Sequence, residues 1–225
     1  MKKQFFFVAL TATALILTSC KKSDDVTPSP VPAPVPNLEA DFRFDQDFKD
    51  NAGKLADAIP SGTPSFTTDR NGHTNSALKF DGGSKLTISS VNYKGLATTL
   101  SVWVKYEAPN GGLQYFVTSV ANGIAISQVN DKFTGTVSNP ITASAYSGSL
   151  NSSWHHLAIT YDGVDIKLYV DGSLADTKNH PGNINDGNRD YTIGFANNAY
   201  WKGSIDDLRF YSRLLTAEEI KQLSE

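Results

Sequence analysis

The run Trp154-His155-His156-Leu157-Ala158-Ile159-Thr160-Tyr161-Asp162-Gly163, and after it Ile166-Lys167-Leu168-Tyr169-Val170-Asp171-Gly172, decides the fold. His155, Leu157, Ile159 and Tyr161 alternate with His156, Ala158 and Thr160, the period of two that gives a strand one buried face. Ile166, Leu168 and Val170 repeat it around Lys167 and Tyr169. Asp-Gly follows each run, and such pairs turn a chain tightly because positive φ costs them little. The stretch from Trp154 to Thr177 therefore predicts a three-stranded antiparallel meander.

The same alternation extends outward. Leu100, Val102, Val104 and Tyr106 share one face against Ser101, Trp103 and Lys105, which predicts a strand over Thr99–Tyr106. Shorter strands are expected at Asp41–Phe44, Ala77–Phe80, Lys85–Ser89, Gln114–Val120, Ile124–Gln128, Tyr191–Phe195 and Gly203–Tyr211. Asn130 to Ser153, rich in Ser, Thr, Asn and Gly, reads as variable loops. Many short strands separated by turn residues point to an all-β chain with two packed antiparallel sheets. One helix is expected near the end, where Thr216-Ala217-Glu218-Glu219 has the spacing of a capping box and Ile220 and Leu223 form an apolar stripe.

The chain has 225 residues, 20 basic and 23 acidic, with one Cys. That balance leaves no basic footprint for nucleic acid. One Cys excludes a disulfide framework and a cysteine-based zinc site. Lys2 and Lys3 precede an apolar stretch from Phe5 to Leu17, the layout of an export signal over residues 1–19 and too short to span a bilayer. Residues 20–37 then form a stalk in which Pro28, Pro30, Pro32, Pro34 and Pro36 alternate with other residues. Polyproline II at about 3.1 Å per residue makes it roughly 50 Å long. Residues 38–225 are left for one globular domain, long enough for a sizeable core.

Leu17-Thr18-Ser19-Cys20 resembles the lipobox of bacterial lipoproteins. That resemblance implies cleavage before Cys20 and acylation of it, which anchors the chain to a membrane by lipid alone. Lys21-Lys22-Ser23-Asp24-Asp25 is similar to the surface-export signal of Bacteroidetes-type lipoproteins and implies an outer-membrane location facing the exterior.

Ala77-Leu78-Lys79-Phe80-Asp81-Gly82, Leu100-Ser101-Val102-Trp103-Val104-Lys105, Trp154-His155-His156-Leu157-Ala158, Leu168-Tyr169-Val170-Asp171-Gly172 and Gly203-Ser204-Ile205-Asp206-Asp207-Leu208-Arg209-Phe210-Tyr211 resemble, in order and spacing, the LamG-like jelly-roll family of the concanavalin A-like lectin and glucanase superfamily. The resemblance runs from about Leu38 to Leu223. It implies a two-sheet jelly roll with a short C-terminal helix, often one calcium ion, and binding more often than catalysis. Fold alone does not decide among these.

Catalysis has little to work with. Glucanases of this superfamily place two Glu around an Asp on one strand, and Glu39, Glu107, Glu218, Glu219 and Glu225 offer no such set. His155 and His156, as strand neighbours, point to opposite faces. The chain is read as no enzyme. The resemblance puts a calcium ligand at Asp206, five residues before Tyr211, with Asp41, Asp45 and the Asp81-Gly82 turn as partners; the competing reading pairs Asp206 and Asp207 with Arg70 or Arg209. Asp186-Gly187-Asn188-Arg189-Asp190 starts like a calcium loop but has Tyr191 where Gly is required, and reads as a polar turn.

Sugars stack on exposed aromatics and exchange hydrogen bonds with polar side chains. Asn198, Tyr200 and Trp201 form the richest loop, with Trp201 either a contact or a core residue beside Gly203. Of the neighbours Tyr115 and Phe116 one should face outward, and Tyr115 is the candidate contact. The expected function is capture of an extracellular polysaccharide or other glycan by an anchored, non-catalytic module. The alternative is a protein-interaction or adhesin module, or a subunit of a surface complex.

Overall fold

The computed structural model of the chain describes residues 36–93, 97–107, 113–119, 123–139, 141–149, 151–184 and 187–225. The residues read as an export signal, Cys20, nearly all of those read as a stalk, and Asp186 lie outside the described residues.

Seventeen strands and one helix are present among the described residues: β1 Leu38–Phe42, β2 Ile59–Ser61, β3 Ser65–Thr67, β4 Ala77–Asp81, β5 Lys85–Tyr93, β6 Thr98–Tyr106, β7 Leu113–Ser119, β8 Ile124–Val129, β9 Lys132–Asn139, β10 Ile141–Ser149, β11 Trp154–Tyr161, β12 Asp165–Val170, β13 Ser173–Asn179, β14 Gly187–Ile193, β15 Phe195–Ala196, β16 Ala199–Tyr200, β17 Lys202–Tyr211 and α1 Ala217–Leu223. An eight-stranded sheet runs β13-β12-β11-β6-β17-β4-β3, with β1 also paired to β17. A seven-stranded sheet runs β10-β9-β8-β7-β14-β5-β2, and β15–β16 is a separate small hairpin. All pairings are antiparallel. The molecule is a jelly-roll sandwich.

The meander read from Trp154 to Thr177 is β11–β12–β13, paired as consecutive neighbours. Asp171 and Gly172 turn it with φ of 48° and 75°, the left-handed pair a two-residue hairpin needs. The core is the filled space between the sheets: Leu100, Val102, Leu157 and Ile159 from one meet Phe116, Ile126, Phe133 and Val137 from the other. A second cluster lies on the outer side of the eight-stranded sheet, where Ile220 of α1 covers Ala158, Tyr169, Tyr211 and Leu215. The helix starts as the sequence predicts. The Thr216 side chain accepts from the Glu219 amide, and the Glu219 carboxylate accepts from the Thr216 amide.

Two boundaries differ from the expectation for physical reasons. The first strand ends at Phe42, and Phe44 just beyond it takes a left-handed φ of 57°, outside the extended region that regular pairing needs. The Asp50 carboxylate holds that turn, accepting from the backbone amides of Asp41, Ala52, Lys54 and Leu55 at 2.8 to 3.0 Å. The stretch expected to be loops, Asn130 to Ser153, instead supplies β9 and β10. Among their core positions Gly135, between Phe133 and Val137, and Ala145 are too small to complete the apolar alternation that announces a buried face.

Candidate functional site

Strand β17 places Asp206 and Asp207 where its edge passes from β4 to β1, beside Asp41 of β1. Each carboxylate meets a guanidinium. Arg70 Nη1 donates to Asp206 Oδ2 and Arg70 Nη2 to Asp207 Oδ2, both at 2.8 Å. Arg209 bridges Asp207 at 2.8 Å and Asp41 at 3.0 Å, and Arg43 takes the other Asp41 oxygen at 2.9 Å. The Arg70 guanidinium also lies over the Trp103 ring, 4.5 Å from its centre, a favourable cation–π placement. A polar pocket of about 170 Å³ opens here, with Asp45, Asp69, His73 and Ser76 among its lining residues.

Burial raises the Asp206 carboxyl from its ordinary 3.8 to about 7; Asp207 adds to the rise and Arg70 only partly offsets it. On the same side of the sheet His156 is buried, with Nε2 at 2.8 Å from Ser101 Oγ and its ring 5.4 Å from that of Trp103. Burial lowers its pKa to about 4, so the imidazole is neutral near neutrality.

The five residues expected to hold calcium do not converge. Asp206 and Asp45 line one pocket. Asp81 pairs with Lys202 across β4–β17, four residues along the strand from Asp206 and so roughly 13 Å away. There its carboxylate is occupied with the Gly83 amide and the Ser84 hydroxyl, and Gly82 completes the turn with φ of 91°. Asp206 and Asp41 already accept from arginines. Calcium wants six to eight oxygens free of other cations, and this donor set does not fit it. Among the described residues no group of three His, Cys, Asp or Glu is placed to hold a metal ion.

The loop expected to contact sugar divides. Trp201 is 1% exposed and packs between Phe80 and Phe116, ring centres 5.6 and 5.0 Å away. It is a core residue, and its expected role as a stacking surface is corrected: no sugar reaches it. Asn197 and Asn198, with φ of 51° and 59°, form the two-residue turn of the β15–β16 hairpin. Asn198 is exposed there. Tyr200 leans on Phe195 at 4.5 Å between ring centres and stays 41% exposed.

Tyr115 is placed differently. A bulge between Tyr115 and Val117 sends both Phe116 and Val117 into the core and leaves Tyr115 on the outward face. Directly opposite Tyr115 stands Ser127 of β8; opposite Ser127, Thr134 of β9; opposite Thr134, Tyr146 of β10. Directly paired residues share a face, so two tyrosines flank two hydroxyl residues along one row. Their separation is three strand spacings, roughly 14 Å. Ser127 and Thr134 are 1% and 2% exposed, whereas Tyr146 is 47% exposed and Tyr115 half-buried. The Ser127 hydroxyl has no hydrogen-bond partner among the described residues. Thr136 and Ser144, their hydroxyls 3.0 Å apart, make the next row. A pocket of about 360 Å³ lies at the end of the row, lined by Val129, Asn130, Lys132 and Tyr146. Of Tyr93 and Tyr146 the sequence expects one to face outward, and Tyr146 does; Thr134 escapes the sequence because β9 reads as a loop.

The acid–base candidates are engaged structurally. Glu219 pairs with Arg213, Glu107 with Lys79 and Glu39 with Lys54. His155 contacts Asp171 through Nδ1 at 2.8 Å and Asn151 through Nε2 at 3.0 Å, with its ring against Phe133.

Solved structures share this architecture. Domain 4 of AbnA, a GH43 extracellular arabinanase from Geobacillus stearothermophilus solved in complex with arabinotriose, superposes with a TM-score of 0.72 at 20% identity, over 84% of this chain and 98% of that one. The receptor binding domain of botulinum neurotoxin C/D mosaic serotype gives 0.70 at 14% identity, over 84% of this chain and 51% of the toxin domain. The binding domain of botulinum neurotoxin DC in complex with SialylT gives 0.67 at 17%, over 84% and 50%. The chain thus spans about half of these toxin domains, and at such identities the likeness is one of fold. A comparison with curated proteins finds none similar in sequence. Residues 80–221, from core Phe80 into the capped helix, match the Laminin_G_3 model of the concanavalin A-like lectin/glucanases superfamily, and the chain belongs to that family.

Proposed function

We propose that this chain is a non-catalytic carbohydrate-binding protein that holds glycan on the outward face of its seven-stranded sheet. The observation that carries this reading is the row Tyr115–Ser127–Thr134–Tyr146. Tyrosine rings supply apolar faces for the C–H surfaces of a sugar, and exposed Asn130 with the half-buried Thr136 and Ser144 of the next row supply donors and acceptors. The opposite face is taken up by α1 and the arginine–carboxylate cluster, which leaves the seven-stranded face as the open one. Membership of a lectin and glucanase superfamily, and a similar fold in a domain solved with arabinotriose, support the same direction.

We further propose that Cys20 carries lipid, that the proline stalk lifts the domain from the outer membrane, and that the domain faces the exterior. Capture then raises the local concentration of polysaccharide at the cell surface. The test is a glycan array probed with the purified chain. Selective retention of one polysaccharide class, lost in Tyr115→Ala and Tyr146→Ala but kept in Tyr200→Ala, supports the reading. A blank array from folded protein overturns it and moves the search to a protein partner; one toxin domain of this fold was solved with rat synaptotagmin II.

A further inference from the structure

Asp206, Asp207 and Asp41 gather where the family resemblance calls for a divalent cation, yet the guanidiniums of Arg70, Arg209 and Arg43 already meet their oxygens. Arg70 is the decisive member. It comes from a loop 136 residues away in sequence from Asp206, and it binds the paired carboxylates of β17 through two separate nitrogens, each at 2.8 Å. Trp103 backs the planar group at 4.5 Å. The side chain is 18% exposed. The loop that delivers it is closed on itself: Asp69 accepts from the amides of Asn71 and His73 and contacts His73 Nδ1, all at 2.8 Å.

We propose that Arg70 is the resident cation of this domain, tying the 69–76 loop to the final strand in place of a divalent ion, so that the fold does not depend on calcium. A guanidinium suits this because its fork meets two carboxylates at once and it remains charged at every physiological pH. A divalent ion at Asp206 would have to displace Arg70 from the same oxygens or sit against its charge. The proposal is independent of which ligand the open sheet face takes.

The test is the thermal midpoint of the purified full chain in millimolar calcium and in chelator. The wild type is expected to melt at the same temperature in both. Arg70→Met keeps the bulk over Trp103 but removes the charge; it is expected to melt several degrees lower in chelator and to recover part of the loss in calcium, because Asp206 then lacks a cation and Asp207 keeps only Arg209. Arg70→Lys, still charged but without the fork, should melt between the two and ignore calcium. A wild-type midpoint that falls in chelator and returns with calcium overturns the proposal, as does an Arg70→Met protein that is indifferent to calcium. Should Arg70→Met fail to fold, the wild type and Arg70→Lys decide.

Discussion

Gly135 of β9 faces Ile159 of β11 across the sandwich so closely that a Cβ on the glycine would stand 3.0 Å from Ile159 Cδ1 and 3.3 Å from Leu168 Cδ1. Both neighbours are fully buried. The position is set by packing, since the sheets approach at a point where one of them has no side chain. Gly135→Val should therefore overpack the core and cost about 1–3 kcal/mol, read as a lower urea midpoint with an unchanged slope. Ile159→Val alone should cost about 0.5–1.5 kcal/mol. In the Gly135→Val background it should instead restore stability, because it removes the atom in collision. Additive losses in the double variant would sink this account.

That glycine also explains what the sequence conceals. The meander β11–β13 and the capped helix were legible because large inward residues alternate with polar ones and the turns and cap use residues with specific backbone preferences. In β9 the inward positions are Phe133, Gly135 and Val137 and the outward ones Thr134, Thr136 and Ser138, so one missing side chain breaks the pattern. The row that frames the candidate site depends on this strand and was hidden with it. The Arg70–Asp206 pair was legible only as one option among several, because no local pattern links residues that far apart. Trp201 and Tyr200 are neighbours in one loop, and composition does not distinguish the ring in the core from the ring at the surface.

Trp201 and the two tyrosines of the open face should separate stability from binding. Trp201→Ala removes a ring packed between Phe80 and Phe116 and should cost about 3–5 kcal/mol. Tyr115→Ala and Tyr146→Ala remove rings that reach solvent. Each should weaken glycan retention by roughly two- to tenfold, as the loss of one aromatic contact of about 0.5–1.5 kcal/mol implies, with a midpoint close to wild type. Denaturation curves and affinity electrophoresis in a polysaccharide gel measure the two effects on the same samples. Unaltered retention in both tyrosine variants would remove the sheet face as the site.

Asp206 and His156 should give the domain a pH profile in which two buried groups oppose each other. The folded pKa of Asp206 is raised from 3.8 to about 7. Between those values the folded state binds the extra proton, so this contribution to stability is complete below about pH 4 and is lost as pH rises through 7. His156 is lowered from 6.5 to about 4. Between those values the unfolded state binds the extra proton, so its contribution is present above 6.5 and lost as pH falls through 4. From pH 4 to 6.5 the two slopes cancel in part, and just above 6.5 only the Asp206 decline remains. Each slope is at most about 1.4 kcal/mol per pH unit. The charges that set the Asp206 shift are Asp207, Arg70 and Asp69. For His156 they are Asp171, Arg209, Arg70 and Asp207. Asp206→Asn should uncover a rise in urea stability from pH 4 to 6.5 and remove the fall near 7, while His156→Gln should leave a fall across the whole range. Glu219, held near 2 mainly by its Arg213 hydrogen bonds, together with the lowered Asp69 and Asp162, keeps an acid limb below pH 4 in every variant. Superimposable profiles for wild type and Asp206→Asn between pH 4 and 8 would mean that Asp206 stays ionised throughout, with the Arg70 ion pair outweighing its burial.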